Sequence, residues 1–394
     1  MTTGDATYIK ALNRRILIEK IIKHRSISRS DLARMTGLNK STVSAQVQQM
    51  MRENLIIEKQ SDVSSGGRKP ILLEISGESG YAIGVDIDES LIQIQVTNLS
   101  GSSIYTQRVN HKSDNPEDII RLVTSALTSV ITIFDNRHTP IGLIGIGIGI
   151  HGIVANNDKI IYTPKMHLAK LPIKLELENK FNVPVFIDNN SNLCAYAEQV
   201  YTSSISDLFC ITMYSGIGLG IIHNSKIYRG FHGFAGEIGH MTIERNGRSC
   251  TCGNEGCWEL YASEKALLKE LKAQGLDLYE IEDVKIDDIF NRYPKLMGDF
   301  LDNVAIGLNN IINIFNPETV ILNGSILNNN ESLIDQVKAR LTSRINNYDK
   351  ILSSKLGKSA CSLGGAMVAL KNYYGVQNLD FTAYNYYSEK QLAK

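Results

Sequence analysis

Ile211-Thr-Met-Tyr-Ser215-Gly-Ile-Gly218-Leu-Gly220-Ile-Ile222 reads as strand, glycine turn and strand, and it leads on to His240 and the run Cys250-Thr-Cys252-Gly-Asn-Glu-Gly-Cys257-Trp-Glu259. A lone Gly-x-Gly-x-Gly most often marks a packed turn. The second run is more specific, because it gathers one imidazole and three thiols in a short window opened by turn-forming glycines. Zn²⁺ favours four nitrogen or sulfur ligands in a tetrahedron, and a set supplied wholly by protein leaves no position for a reactive water. His240, Cys250, Cys252 and Cys257 are therefore expected to hold a structural zinc ion, with three unrelated thiols as the plainer account. Cys194, Cys210 and Cys361 sit in apolar or small-residue contexts, where a thiol behaves as a small hydrophobe, and no disulfide framework is implied.

The 394 residues, 43% of them hydrophobic, suffice for two or three domains with more than one core. The net charge of zero hides an asymmetry: residues 1 to 80 carry 13 Lys and Arg against 8 Asp and Glu, so the head is basic and the rest acidic. A basic head suggests a polyanionic partner, although many solvated helices are basic too. Met1-Thr-Thr-Gly-Asp-Ala has no basic stretch leading into an apolar run, and no apolar stretch reaches membrane-spanning length. A cytoplasmic protein with no membrane partner is expected.

The head has helical grammar. Ile16, Leu17, Ile21 and Ile22 give an apolar stripe within a helix from Tyr8 to His24. Ser28-Arg-Ser-Asp31 has the form of a capping box, opening a short helix over about Arg29 to Met35. Gly37 marks the turn, and Val43 and Val47 supply the buried stripe of a third helix ending near Arg52. From Asn39 onward this helix offers Lys40, Ser41, Thr42, Ser44, Gln46 and Gln48, groups able to bond phosphates and base edges in a major groove. Leu55-Ile-Ile-Glu-Lys and Ile71-Leu-Leu-Glu-Ile form a strand pair around Ser64-Ser-Gly-Gly-Arg-Lys-Pro70, so that Arg68 and Lys69 tip a β-wing. The DNA-contacting set is accordingly Asn39, Lys40, Ser41, Thr42, Ser44, Gln46, Arg68 and Lys69. A structural three-helix module would account for the caps but not for the wing and the charge excess.

Beyond residue 80 strands dominate. Ala82 to Ile87, Leu91 to Leu99 and Ile104 to Val109 are read as strands; Gly142, Gly145, Gly147 and Gly149 punctuate a core strand; Val183 to Asp188 ends in Asn189-Asn190 before a helix; Thr319 to Asn323 ends at Gly324. Asp86-Ile-Asp88-Glu89-Ser90 resembles the opening phosphate motif of actin-like sugar kinases, Asp-Ile-Gly-Gly-Thr, but carries two carboxylates where the glycines would admit a nucleotide phosphate. With Gly216, Gly218, Gly220, Gly230, Gly236 and Gly239 fitting the family signature and Cys-x-Cys-Gly-x-x-Gly-Cys-x-Glu beside it, the whole chain resembles the ROK family of repressors, open reading frames and sugar kinases. The resemblance implies an α/β protein, a winged helix-turn-helix followed by a two-lobed actin-like (ribonuclease H-like) sugar-kinase fold. The expected division is a DNA-binding domain over 1–77, a small lobe over 78–190 plus 365–394, and a large lobe over 191–364 with the zinc site and a dimer interface.

The resemblance places the family's sugar contacts on Asn189, Asn190, Glu237, His240 and Glu259. Family kinases carry Asn-Asp where this chain has Asn189-Asn190, and a carboxamide cannot take a proton near neutral pH. Asn190 can still donate to and accept from a sugar hydroxyl. His151 replaces the proline of the family's Gly-x-Pro-Gly turn, and is read either as a turn residue or as a further sugar contact. Through Thr36-Gly-Leu-Asn-Lys-Ser-Thr-Val-Ser44, Gly66-Gly-Arg-Lys-Pro70, Glu237-Ile-Gly-His-Met-Thr-Ile243 and Trp258-Glu-Leu-Tyr-Ala-Ser-Glu-Lys-Ala266, the chain most resembles the family's xylose-responsive branch. The expected function is a repressor, not an enzyme: a homodimer on an inverted repeat in the operator DNA of xylose-utilisation genes, released by D-xylose. The alternatives are an ATP-dependent sugar kinase with an appended DNA-binding head and a sugar-sensing adaptor.

Overall fold

The computed structural model describes residues 6–60, 69–202, 205–276, 278, 286–328 and 330–383. The head is built from α1 (Ala6–His24), β1 (Ile27–Ser28), α2 (Arg29–Thr36), α3 (Lys40–Arg52), β2 (Ile56–Gln60) and β3 (Ile71–Ile75). Ser28 Oγ accepts from the Asp31 backbone N–H at 3.1 Å and donates to Asp31 Oδ2 at 2.7 Å, so Ser28 caps α2 as its residue type requires, with Asp31 bonding the Ser28 hydroxyl in place of its backbone N–H. Gly37 closes α2 in the left-handed conformation, and Asn39 caps α3 by accepting from the Thr42 N–H at 2.9 Å. Leu17, Ile21, Leu32, Val43, Val47 and Met50 are buried against one another. The wing is a three-stranded sheet in the order β1-β3-β2, with Ile27–Ser28 as a strand that the sequence reading did not contain.

The body has two five-stranded sheets. The first runs β10-β7-β4-β5-β6, drawn from β4 (Gly80–Ile87), β5 (Leu91–Asn98), β6 (Ser103–Asn110), β7 (Gly142–Ile150) and β10 (Val185–Asn189). The short pair β8 (Ile153–Val154) and β9 (Ile160–Tyr162) lies apart, and α4 (Pro116–Phe134) and α5 (Ile173–Phe181) complete this half. After α6 (Asn190–Tyr201) comes the second sheet, β13-β12-β11-β14-β15, from β11 (Leu208–Thr212), β12 (Gly218–His223), β13 (Lys226–Ile227), β14 (Thr319–Asn323) and β15 (Lys350–Ser353). Both sheets join an antiparallel three-strand meander to two parallel strands, the same design used twice. The second half also holds α7 (Glu259–Ala262), α8 (Glu264–Ala273), α9 (Ile286–Arg292), α10 (Pro294–Phe315) and α11 (Glu331–Arg340).

The last helix among the described residues, α12 (Ala360–Tyr374), packs on β4 and β7 and crosses α6. A Cβ on Gly147 would stand 2.0 Å from the Gly365 carbonyl oxygen, and one on Gly364 would stand 2.0 Å from that of Leu193, so side-chain-free positions set both contacts. The boundary at 365 falls inside this helix. Residues 375–381 then return to the head: the Gln377 N–H donates to Glu19 Oε1 at 2.9 Å, Lys23 pairs with Asp380 at 3.5 Å, and the Phe381 N–H donates to the Val200 carbonyl at 2.9 Å. Phe381 stacks on Tyr201 with ring centroids 6.2 Å apart. One apolar cluster therefore runs from α1, α2 and α3 through Val376, Leu379 and Phe381 into α6 and α12.

Candidate functional site

On the head, Asn39, Lys40 and Ser41 are exposed, Thr42 and Ser44 are half-buried, and Lys69 is exposed at the start of the returning wing strand; Arg68 lies outside the described residues. Gln46 departs from the exposed position read from sequence. It is only 6% exposed, and its Nε2 donates to the Lys10 carbonyl at 3.1 Å. The reason is helical phase, since Val43, Gln46, Val47 and Met50 share one stripe, and a polar residue on that stripe is turned inward. Ala45 and Gln48 are the exposed residues around it.

In the body a cavity of about 540 Å³ opens between the two halves, and Asn189, Asn190, Glu237, His240 and Glu259 all line it. Asn189 is already engaged at both ends. Its Oδ1 caps α6 through the Ser191 and Asn192 N–H groups at 2.8 and 3.3 Å, and its Nδ2 donates to the Gly152 carbonyl at 2.6 Å. It therefore positions the neighbouring residue. Asn190 keeps most of its hydrogen-bonding capacity, with Oδ1 receiving only a long bond from Ser191 Oγ at 3.4 Å. Behind them the buried Asp188 accepts from Asn192 Nδ2 at 2.9 Å and from Arg229.

His240 ends a short 3-10 turn that begins at Ile238, and it sits between two carboxylates: Nε2 is 3.9 Å from Glu237 and Nδ1 is 3.7 Å from Glu259. Nδ1 is also 3.7 Å from Cys250 Sγ. One donor atom from each of His240, Cys250, Cys252 and Cys257 lies within 4.8 Å of the others, a soft nitrogen and sulfur set that fits a metal ion of the zinc type. Trp258, fully buried, donates from Nε1 to the Asn303 carbonyl at 2.8 Å and so fixes this motif to α10. Glu259 opens α7 directly after it.

The other end of the cavity holds the carboxylates of the β4–β5 turn. Asp88 Oδ1 accepts from the Glu89 N–H at 2.8 Å and from Ser215 Oγ at 3.2 Å, and lies 3.3 Å from His151 Nδ1. Enclosure works to raise its carboxyl, but the bond and charge of His151, with the Glu89 and Ser215 bonds, bring it below the ordinary value. His151 shows the reverse: enclosure lowers it, and Asp88 more than restores it, so the imidazole stays above its usual value. Glu89 Oε2 accepts from Lys165 Nζ at 2.7 Å and Lys265 Nζ at 3.1 Å; enclosure raises this carboxyl and the two ammonium groups outweigh it. Asp86, two residues earlier on β4, is pushed up to about 7 by burial and by the Asp88 charge, and its Oδ1 has no hydrogen-bond partner. Tyr214 Oη donates to Asn323 Oδ1 at 2.7 Å and accepts from Asn328 Nδ2 at 3.1 Å, tying together the loops after β11 and β14. Ser215, Lys165 and Lys265 were not singled out from sequence, since nothing local marks them as partners of the turn.

A winged helix joined to two repeated α/β halves, with a polar cavity between them and a His/Cys cluster at its edge, defines a two-lobed actin-like protein with a DNA-binding head. The chain belongs to the ROK family, whose match covers residues 82–372, and the winged helix-turn-helix DNA-binding family matches residues 11–57. It is similar to the xylose repressor of Bacillus spizizenii, 38% identical with 95% of this chain and 99% of that one covered, and to the xylose repressor of Bacillus subtilis, 37% identical with 95% and 98% covered. Among solved structures, a ROK family transcriptional regulator homologous to the E. coli MLC protein shares the fold with a TM-score of 0.76 at 21% identity, over 93% of this chain and 97% of that one. A ROK family glucokinase from Streptomyces griseus, in complex with glucose and AMPPNP, aligns with a TM-score of 0.62 at 25% identity, over 73% of this chain and 99% of that one.

Proposed function

We propose that this protein is a sugar-responsive transcriptional repressor that holds operator DNA through its winged helix and releases it when D-xylose enters the cavity between the lobes. The observation that carries the reading is Asn190: it lines the cavity with an amide still free to bond a hydroxyl, at the place where the family's kinases carry the proton-accepting aspartate. The pocket is thus suited to binding without phosphoryl transfer. Glu237, His240 and Glu259 supply the remaining sugar contacts, and Asn189 orients Asn190 from behind. A Zn²⁺ ion on His240, Cys250, Cys252 and Cys257 supplies fixed placement of the His240 ring and of Glu259, and no reactive chemistry.

Lys40, Ser41 and Thr42 at the start of α3 face the major groove, with Asn39 and Ser44 beside them and Lys69 before the returning wing strand; Arg68 is expected to add a phosphate contact. One winged helix meets a short stretch of duplex, so two copies on an inverted repeat give the specificity a repressor needs. Sugar shifts the balance only by binding one arrangement of the lobes better than the other. The test is operator binding by the full chain to its own upstream DNA, with and without a panel of sugars. Release by D-xylose supports the reading; DNA binding indifferent to every sugar, or steady sugar-dependent ADP formation with ATP and Mg²⁺, overturns it. Lys40→Ala together with Thr42→Ala is expected to weaken operator binding about tenfold or more and leave sugar binding unchanged.

A further inference from the structure

The β4–β5 turn does more than obstruct a phosphate. Two successive residues of this turn each reach across to the second half of the body: Asp88 to Ser215, which follows β11, and Glu89 to Lys265, in the first turn of α8. Lys265 is itself seated against the second sheet, its backbone N–H donating to the Tyr214 carbonyl at 3.2 Å. Lys165, the other partner of Glu89, follows β9 and belongs to the same half as Glu89. Glu89 therefore has one ammonium partner that moves with it and one that belongs to the opposite wall.

We infer that Glu89 acts as a built-in anion that latches the two lobes: Lys165 holds its carboxylate in place, Lys265 is drawn to it as the cleft closes, and this bridge strengthens sugar binding by favouring the closed cleft. The inference rests on the reading of the cavity as a sugar site. Its physical basis is linkage, because two interactions that both require the closed cleft favour each other, while an interaction present in open and closed states alike is neutral. Asn190 follows β10 of the first sheet, whereas Glu237, His240 and Glu259 belong to the second half, so a sugar among them spans the same gap that Glu89 and Lys265 span. The exposures suit a reversible contact. The Glu89 side chain is 17% exposed, but those of Lys165 and Lys265 are 50% and 55% exposed, so water and salt keep the bridge weak enough to open. Glu89 is thus a positioning residue, and the asymmetry between its two lysines is the feature to test.

The experiment is calorimetric titration of D-xylose into the full-length protein and into Glu89→Gln, Lys265→Met, their double variant and Lys165→Met. Glu89→Gln and Lys265→Met are each expected to weaken xylose about fivefold, the double variant to be no weaker than either, and Lys165→Met to stay within about twofold of wild type. Additive losses, an equal loss for Lys165→Met, or unchanged affinity in Glu89→Gln would overturn the latch. Small-angle scattering of the sugar-free proteins gives an independent arm: Glu89→Gln should have a larger radius of gyration than wild type at low salt, and the difference should vanish at high salt. Expansion of Glu89→Gln in a protein that does not bind D-xylose keeps the latch and refutes the choice of sugar. Normal xylose binding with neither coupling nor expansion refutes the latch alone.

Discussion

The two ends of the cavity use similar residues for opposite purposes. At the His/Cys end, Glu237, His240, Glu259 and Asn190 face the cavity with hydrogen-bonding capacity to offer, and a knot of thiols and a buried tryptophan backs His240 and Glu259. At the β4–β5 end, Asp88 and Glu89 are already paired with His151, Ser215, Lys165 and Lys265. One end is prepared for a ligand; at the other the turn carboxylates Asp88 and Glu89 are already satisfied by the protein itself, while the buried Asp86 behind them keeps one oxygen unpaired. Polar groups are worth most to a ligand when they are held in place but left unpaired, and worth least when the fold has already satisfied them. A kinase would need both ends open, whereas a sensor needs only one.

The largest effect should come from the His/Cys end. Cys257→Ser is expected to remove the metal, release the segment that carries His240 and Glu259, and shift the xylose concentration for operator release upward by more than about a hundredfold. Metal content and xylose titration on the same preparation check this, and a metal-free variant that responds normally breaks the link between cluster and pocket. Next, Asn190→Ala should weaken xylose about tenfold to a hundredfold by leaving a hydroxyl without a partner. Asn189→Ala should instead lower stability by about 1 kcal/mol through loss of the α6 cap, a difference that thermal denaturation and calorimetry together resolve.

At the β4–β5 end the effects are smaller. His151 is raised in the folded protein above its ordinary value of 6.5, so its pairing with Asp88 stabilises fully below that pH and is lost as pH rises through the folded value. The Tm of wild type should therefore fall across that window by a few degrees relative to His151→Gln. The smallest expected change sharpens the comparison most: Asn190→Asp restores a carboxylate base but should yield no ADP release with D-xylose or glucose above background, because Asp88 and Glu89 still occupy the phosphate turn. Robust turnover in that variant would show that the β4–β5 end opens on demand.

The strands β2 to β7, β10 to β12 and β14, the helices of the head and the thiol cluster were legible in the sequence because each follows from a local pattern, whether alternation, a helix cap or short ligand spacing, whereas β8, β9, β13 and β15 were not read. β1 was not, since Ile27 and Ser28 are too few to show alternation and become a strand only by pairing with Leu73 and Leu72. Gln46 was misplaced by its polarity, although its spacing from Val43, Val47 and Met50 carried the correct phase. The β4–β5 turn was legible only as a departure from the kinase motif. Its neutralising partners lie 63, 76 and 176 residues away at His151, Lys165 and Lys265, and pairing over such distances is decided by the tertiary fold. The same holds for Asn189, whose residue type is equally suited to a cap or a ligand until its neighbours are placed.

The returning segment 375–381 bears on how such a protein can be recombined. Val376, Leu379 and Phe381 lie in the same apolar cluster as Leu17, Ile18 and Ile21 of α1, and Glu19 and Lys23 grip the segment from the head side. The unit of exchange is therefore discontinuous. A chimera that takes residues 1–77 from a relative but keeps its own residues 375–381 joins two surfaces shaped for other partners, and it would carry DNA specificity without faithful sugar control. Grafting both stretches together preserves the joint, so a biosensor designer seeking a new operator for this receptor should treat the first and last parts of the chain as one piece.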